Sequence, residues 1–372
     1  MHILDELDAR GLVADVTDRA GLAALLSKER VTFYCGYDPT ASSLHVGNLV
    51  PLVVQARLQR DGHKPIVLVG GATGMIGDPS GKSIERNLLG DDELDANVAG
   101  IRKQLERFLD FAPGPNAAKI VNNADWTRGV GYLEFLRDVG KYLTVNYMMA
   151  KDSVRARLEG EAGISYTEFS YMLLQAFDFV HLAKAHGCRL QVGGSDQYGN
   201  ITAGCELSRK MGGAQLFGLT QPLLLDSSGQ KMGKTSTGER IWLDPELTSP
   251  YEFYQFWFNA DDRDAARYLK FFTFLDEAAI SVLEAASAKE PEKRHAQREL
   301  AREVTRLVHG ATAVQEAETA AEKLFKGDLS AMSVAELLQI FPNVPSCDLA
   351  SVATGWLVPE LLAAAGVASS NP

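Results

Sequence analysis

The stretch that decides the fold is VTFYCGYDPTASSLHVGNLVPLVVQARLQRDGHKPIVLVGG, residues 31–71. An apolar run, VTFYCGY (31–37), passes through a Pro-containing turn into a helical pattern from about Val46 to Asp61, and PIVLVGG (65–71) returns as a second apolar run. Strand, crossover helix and strand make the repeating unit of a parallel sheet, because parallel neighbours need a long connection. The alternation continues with AAKIVNN (117–123), CRLQVGG (188–194) and PLLLD (222–226), each next to helical pattern. The expected class is therefore α/β with a parallel sheet, whose ligands belong at the carboxyl ends of the strands. From Ser249 to about Lys326 the pattern is almost wholly helical and charged, so a helical domain is expected to follow; FPNVPSCDLASVATG (341–355) reads as loop.

Composition narrows the function classes. The 372 residues are 46 % hydrophobic and 23 % charged, typical of a globular chain with a substantial core. With 37 Lys+Arg against 48 Asp+Glu, the net charge of −11 argues against a polybasic nucleic-acid binder but leaves room for a local basic patch. MHILDELDARG at the start is acidic and lacks a long apolar core, unlike a signal peptide, and no run of 18 apolar residues is found. Cys35, Cys188, Cys205 and Cys347 are scattered without a CxxC pair, which predicts reduced thiols in a cytoplasmic setting and no cysteine metal site.

Two segments imitate a phosphate-binding P-loop: GDPSGKS (77–83) and GQKMGKT (229–235). Each has three residues, not four, between its first Gly and the Gly-Lys pair. The first also carries Pro79, which removes an N–H, and the second runs on as TSTGERIW, a poor helix. Neither is a P-loop, and their purpose depends on what surrounds them.

Within the deciding stretch, YCGYDPTASSLHVGN (34–48) places Asp38-Pro39-Thr40 in a turn and opens a helix at His45-Val-Gly47-Asn48. Free N–H groups and the positive end of the helix are expected to face whatever lies beyond the strand. His45 and Asn48 add side-chain donors, and Gly47 would let a flat ring approach, a set that suits a nucleotide; the alternative is a turn and cap made by Asp38 and Ser43 beside a surface histidine. DPTASSLHVGN resembles the first signature of class I aminoacyl-tRNA synthetases, in the form carried by tyrosyl-tRNA synthetases, and KMGKT (231–235) resembles their second. The similarity covers most of residues 31–260 and continues more weakly to about 345. It departs from the commonest form at Asn48, where histidine is usual, and Pro51 falls inside the helix, where it cannot donate to the carbonyl of Gly47.

The resemblance implies a Rossmann-like catalytic domain (1–247) with a dimer-forming insertion at about 124–162, an all-helical domain (248–326), and from 327 to 372 a linker and the first helix of an RNA-binding domain. It implies that Thr40, His45, Lys82, Arg86, Lys231, Lys234 and Thr235 handle the phosphates of ATP while Asn48, through its amide N–H, keeps the ribose contact, with Mg2+ bound to the phosphates and no metal site built by the protein.

FSYMLLQAFDFV (169–180) points to the other substrate. Tyr171, Gln175 and Asp178 are spaced i, i+4, i+7, one face of a helix that is otherwise apolar. A buried polar stripe needs partners: either an internal network, or a pocket in which Asp178 accepts from a phenol, Gln175 and Tyr171 meet an α-amino group, and Tyr34 supplies a second phenol contact. The resemblance favours the pocket, pairs Tyr34 with Asp178 on the substrate hydroxyl, and adds Gly36, Asp38, Asp78 and Gln191 around L-tyrosine.

VGGSDQYGNITAG (192–204) is the remaining candidate element: Ser195 suits a helix N-cap and Asp196 can bridge ribose hydroxyls, or the pair is ordinary capping chemistry. By resemblance, Gly194, Asp196 and Cys35 lie by the ribose, together with Asp38, Thr40, His45, Gly47, Asn48, Lys231 and Lys234 in the ATP site, and Gln197 lies beside the reacting carboxylate.

The implied reaction is tyrosine activation by ATP followed by transfer to the 3′ adenosine of tRNA(Tyr), performed by a cytoplasmic homodimer. GKYLTVNYMMAKDSVRARLEG (140–160) is basic and aromatic, and by resemblance serves both the dimer interface and the acceptor stem. WLVPELLAAAGVASS (356–370) resembles the opening of the family's small RNA-binding domain; with the sequence ending at Pro372, full adenylate formation with weakened tRNA charging is expected. A tryptophan-specific relative would have no use for the acid at Asp178, a simpler adenylyltransferase would lack the Tyr34/Asp178 pair, and a non-catalytic RNA-binding paralogue would not need both phosphate signatures.

Overall fold

The computed structural model describes residues 2–80, 91–160, 163–229, 232–233, 238–325, 327, 332–334, 337, 340 and 358–364. The chain divides into one compact unit of residues 1–315 and a second of residues 316–372. In chain order the elements are α1 (Ile3–Ala9), β1 (Asp15–Val16), α2 (Arg19–Lys28), β2 (Thr32–Tyr37), α3 (Leu49–Arg60), β3 (Lys64–Val69), α4 (Asp91–Leu105) and β4 (Lys119–Asn122). Four short helices follow, α5 (Ala124–Thr127), α6 (Tyr132–Asp138), α7 (Val145–Met149) and α8 (Asp152–Leu158). Then come α9 (Tyr166–His186), β5 (Cys188–Gly194), α10 (Tyr198–Lys210), β6 (Phe217–Gln221), α11 (Pro250–Phe258), α12 (Asp262–Phe272), α13 (Glu277–Lys289), α14 (His295–His309) and α15 (Ala311–Phe325). In the second unit α16 (Val358–Ala364) is described.

The six strands are ordered β1-β6-β5-β2-β3-β4, parallel throughout except for β1, which is antiparallel to β6 at the edge. From β2 the chain moves outward through β3 to β4, then returns along α9 to the other side of β2 and builds β5 and β6 there. Connections therefore diverge at the carboxyl ends of β2 and β5, opening a crevice at the switch point.

Successive β2 residues point to opposite faces. Tyr34 packs its ring 5.2 Å from Phe179 on α9, while Tyr37 faces α3 and accepts a hydrogen bond of 2.5 Å from Gln55 Nε2. Helix α9 starts where the Ser165 hydroxyl accepts from the Glu168 N–H and ends at Gly187, whose φ of 64° suits a residue without Cβ. The expected helix from Val46 begins as a 3-10 turn (Val46–Asn48) that runs into α3. Pro51 sits in the first turn of α3, where a missing N–H costs least.

One strand lies elsewhere than expected. PLLLD (222–226) is not the sixth strand; FGLTQ (217–221) is. Pro222 has no N–H for the ladder, so pairing stops before the leucines, and the small Gly218 lies where a Cβ would meet Ile201 of α10 at 2.3 Å. The helical segment from Ser249 forms as expected, opened by a capping box between Ser249 and Glu252 with Pro250 at the first helical position. It is tied to the sheet layer by arginines: Arg10 donates to the carbonyls of Lys270, Thr273 and Leu275 at the end of α12, and the buried Arg57 of α3 donates to Thr273.

Candidate active site

A cleft of about 550 Å³ opens at the switch point, a size suited to a small-molecule substrate pair. Every candidate site residue among those described lines it: Tyr34, Cys35, Gly36, Asp38, Thr40, His45, Gly47, Asn48, Asp78, Tyr171, Gln175, Asp178, Gln191, Gly194, Asp196 and Gln197. Lys82, Arg86, Lys231, Lys234 and Thr235 lie outside the described residues.

The closed end is a buried polar network. Asp178, in the middle of α9, accepts from Trp126 Nε1 at 2.8 Å and from Asn123 Nδ2 at 2.9 Å. Asn123 is oriented by the Ala72 N–H, which its Oδ1 accepts at 2.7 Å, and its amide also donates to Thr73 Oγ1 at 3.0 Å. The Thr73 hydroxyl donates to Asp38 Oδ1 at 2.8 Å, and the Tyr171 hydroxyl donates to Asp38 Oδ2 at 2.9 Å. Room for this carboxylate depends on Gly70, where a Cβ would stand 2.2 Å from Asp38 Oδ1. Burial pushes the Asp178 carboxyl up to about 7, its two donors opposing the shift and the charge of Asp38 adding to it.

Two groups in this end are unanswered. Tyr34 and Gln191 are paired neighbours on β2 and β5, both buried, yet Tyr34 Oη and Gln191 Oε1 have no hydrogen-bond partner. Burial, followed by the nearby charge of Asp178, holds the Tyr34 phenol well above its ordinary range, so it is a neutral O–H donor. Two residues further along the same face of β2, Gly36 contributes no side chain and leaves space above it.

A second network lies beside the first. Asp78 accepts from its own loop at Ser80 N (2.8 Å) and from Gln197 Nε2 (2.7 Å); Gln197 Oε1 accepts from Gln175 Nε2 (3.3 Å), and Asn200 Nδ2 donates to Gln175 Oε1 (3.0 Å). The described half of GDPSGKS is therefore a turn centred on a carboxylate, which would repel a phosphate. It is suited to an ammonium.

At the open end the helix start differs from expectation. Its first N–H groups are already used: Val46 donates to Ile241 O (3.0 Å), Gly47 to His45 Nδ1 (3.0 Å), Asn48 to His45 O (2.8 Å) and Leu49 to Val46 O. The flat ring at Gly47 is that of His45 itself, whose Cε1 would lie 2.8 Å from a Cβ there. Because Nδ1 accepts, the neutral imidazole carries its proton on Nε2. Asn48 Oδ1 accepts from the His45 N–H at 3.0 Å, leaving Nδ2 as the donor. Side chains, not helix amides, thus supply the hydrogen bonds here.

Helix α4 holds the loop that carries Thr40 and His45. Asn97 Nδ2 donates to Pro39 O (2.9 Å), Gln104 Oε1 accepts from Leu44 N (2.8 Å), and Gln104 Nε2 donates to Ser43 Oγ (3.0 Å). Gly100 presses on the same loop so closely that a Cβ would be 2.1 Å from the carbonyl oxygen of Ser42. From the loop, bonds continue to Asp244 N, which donates to Ser43 Oγ (3.1 Å), to Leu243 N, which donates to Leu44 O (2.8 Å), and from Ile241 N to Gly233 O (3.0 Å), inside KMGKT.

Reading the sequence missed Thr73, Asn123, Trp126 and Asn200, which orient the networks, and Arg240 and Trp242, which line the cleft near His45. Within the basic segment 140–160, expected to serve the dimer interface and the acceptor stem, Arg157 is buried in a two-bond ion pair with Glu168 (2.7 Å each), so it faces the protein rather than RNA. Cys35, Cys188 and Cys205 are free thiols, the first with its pKa raised to about 12 by burial.

The chain is similar to known proteins. The family of class I tRNA synthetases (W and Y) matches residues 26–326. The chain is 55 % identical to a tyrosine–tRNA ligase of Roseiflexus castenholzii over 347 residues, covering 93 % of this chain and 81 % of that one. It is 56 % identical to a tyrosine–tRNA ligase of Bacillus caldotenax over 374 residues, 100 % of this chain and 88 % of the other. The C-terminally truncated mitochondrial tyrosyl-tRNA synthetase of Aspergillus nidulans superposes with a TM-score of 0.79 at 34 % identity, covering 87 % and 94 % of the two chains.

Proposed function

The chain belongs to the class I tRNA synthetases of the tryptophan and tyrosine family, and on that premise we propose how its residues divide the work. Its reaction is tyrosine–tRNA ligation: L-tyrosine and ATP give tyrosyl-adenylate and pyrophosphate, and the tyrosyl group passes to the 3′ adenosine of tRNA(Tyr). The observation that carries the residue assignment is the buried, unpartnered Tyr34 hydroxyl in the same pocket as a carboxylate held by Asn123 and Trp126. A substrate phenol completes both: Tyr34 donates to its oxygen, and the substrate O–H donates a hydrogen bond to the Asp178 carboxylate, whose oxygens each retain a lone pair.

Asp78, Tyr171 and Gln175 take the ammonium, with Asp38 fixing Tyr171 and Gln191 closing the pocket wall. Gln197, bonded to Asp78, then lies beside the carboxylate, which attacks the α-phosphate of ATP. Cys35, Gly194 and Asp196 serve the ribose. Asn48 Nδ2 donates to the ribose, and Thr40 and His45 Nε2 donate to the phosphates, joined by Lys82, Arg86, Lys231, Lys234 and Thr235, so that charge building up on the leaving pyrophosphate meets donors already in place. Mg2+ enters as the counter-ion of those phosphates; among the described residues no group of three His, Cys, Asp or Glu is arranged to hold a cation.

The division into a catalytic domain (1–247), a helical domain (248–326) and an RNA-binding segment (327–372) belongs to this reading, as does a cytoplasmic location; no described helix is long and apolar enough to cross a membrane. So does a homodimer through the insertion. Tyr132, Leu133, Val145 and Tyr166 are 65, 78, 58 and 63 % exposed, an apolar surface in one part of the chain that a second copy would cover. Sedimentation should give twice the chain mass, and Leu133→Glu should halve it. ATP–pyrophosphate exchange across a panel of amino acids tests the substrate: tyrosine should support exchange, phenylalanine and tryptophan far less. Equal exchange with phenylalanine would remove the roles given to Tyr34 and Asp178.

A further inference from the structure

Beyond the residues assigned above, one more buried group without a partner lines the cleft among the described residues. Gln221, the last residue of β6, is fully buried and lines the cleft, and neither Oε1 nor Nε2 of its amide has a hydrogen-bond partner. Leaving a donor and an acceptor unmet in a protein interior is unfavourable, so such a group calls for an explanation.

Its direction follows from the strand. A Cβ on Gly218 would strike Ile201 of α10, and Thr220 is engaged at the sheet edge, where its hydroxyl accepts from the Asp15 N–H at 3.1 Å. Side chains alternate along a strand, so Leu219 and Gln221 project to the opposite face, the one on which Tyr37 reaches Gln55 of α3. In the parallel register Gln221 stands beside Gly194 of β5, whose missing side chain matters: a Cβ there would sit 2.7 Å from Asp196 Oδ1 and 3.3 Å from Leu223 Cδ2. The notch at Gly194, the Asp196 carboxylate and the Gln221 amide therefore converge on one side of the sheet at the end of the cleft shared with His45 and Asn48.

We propose that Gln221 is a nucleotide-binding residue, its carboxamide forming hydrogen bonds with the adenosine of ATP beside the ribose. This rests on the assignment of Asp196 and Gly194 to ATP. An amide provides both a donor and an acceptor at one place, matching hydroxyl and purine-edge groups that do the same. In the ligand-free protein the two atoms are unanswered, and binding answers them.

The test is Gln221→Met, which keeps length and removes both polar atoms, with Gln221→Leu as a second variant. Tyrosine-dependent ATP–pyrophosphate exchange and the Tm of the ligand-free enzyme are measured for each. The KM for ATP should rise about five- to tenfold, the loss of a hydrogen bond to a neutral group, while the KM for tyrosine stays within about twofold. The Tm without ligand should be unchanged or higher, since an apolar side chain leaves nothing unpaired. An unchanged KM for ATP in either folded variant, or a fall in Tm in both, overturns the proposal, the latter by showing that the amide stabilises the ligand-free protein. Failure of the wild-type enzyme to exchange with tyrosine would instead strike the functional reading itself.

Discussion

The two ends of the cleft are built by different means. The closed end is fixed by side chains: Trp126, Asn123 and Thr73 tie Asp178 to Asp38 and Tyr171 in a continuous run of hydrogen bonds, with Asn123, Thr73, Tyr171 and Asp178 buried and Asp38 and Trp126 half-buried. The open end is a loop and a helix start whose own amides are already bonded within the protein and which is held from outside by α4. On the proposed assignment, the contrast follows from what each end would recognise. A neutral hydroxyl is identified by unmet polar atoms that nothing smaller can satisfy, which demands rigidity and burial. Phosphate charge that shifts during reaction needs donors brought into line, and these sit on segments that can be adjusted from a distance.

If that division is right, substitutions at the open end should change the rate with little effect on tyrosine affinity. The largest effect belongs to Lys234→Ala: tyrosine activation should fall about 10²-fold or more, as for other losses of a donor to transition-state charge, while tyrosine affinity by equilibrium binding stays within about twofold. Equal losses in both would erase the distinction between the ends.

Gly100→Ala comes next and tests the hold of α4. In a helix interior alanine is normally favoured by about 1 kcal/mol over glycine. Here the added methyl meets the Ser42 carbonyl, so the loop carrying Thr40 and His45 must shift. Misplacing reacting groups by an ångström can cost about 10²-fold, so a loss of roughly tenfold or more in kcat is expected, with the KM for tyrosine nearly constant. Wild-type kcat in this variant would show that α4 is only packing.

Whether these features are legible in the sequence depends on whether they are local. Apolar runs and the 3.6-residue period reveal β2, α3 and β3, and the i, i+4, i+7 spacing by itself places Tyr171, Gln175 and Asp178 on one face. Three leucines draw the sixth strand five residues too late, because hydrophobicity outweighs the breaking effect of Pro222. Asn123 and Trp126 carry no spacing signal at all: they lie 55 and 52 residues from Asp178, and only the return of α9 beneath β4 brings them to it. The consumption of the amides at Val46 and Gly47 is equally hidden, since it requires Ile241 and a particular imidazole tautomer. The charge of segment 140–160 does not reveal that its Arg157 is buried against Glu168, 11 residues further on.

The closed end predicts a pH dependence. Burial raises the Asp178 carboxyl to about 7, so at about pH 6 only about a tenth is ionised and able to accept a hydrogen bond from the substrate phenol O–H. Ionisation rises with pH, so kcat/KM for tyrosine should increase by up to about tenfold between about pH 6 and pH 8. Exchange with phenylalanine, which offers Asp178 no proton, should stay flat over the same range. A tyrosine profile parallel to that of phenylalanine would place the titration elsewhere.

The smallest effect, and the sharpest comparison, is Tyr34→Phe. In the ligand-free enzyme the hydroxyl has no partner, so its removal should leave the Tm unchanged or slightly raised, the opposite of what deleting a structural hydrogen bond does. With tyrosine bound, one neutral hydrogen bond is lost, worth about 0.5–1.5 kcal/mol, so kcat/KM for tyrosine should fall roughly two- to tenfold. Phenylalanine should gain slightly, because it no longer strands the hydroxyl. Discrimination therefore narrows from both sides while stability does not suffer, a combination that a group serving only to hold the fold together cannot produce. A fall in Tm with unchanged discrimination would mean that Tyr34 packs against Phe179 and does no more.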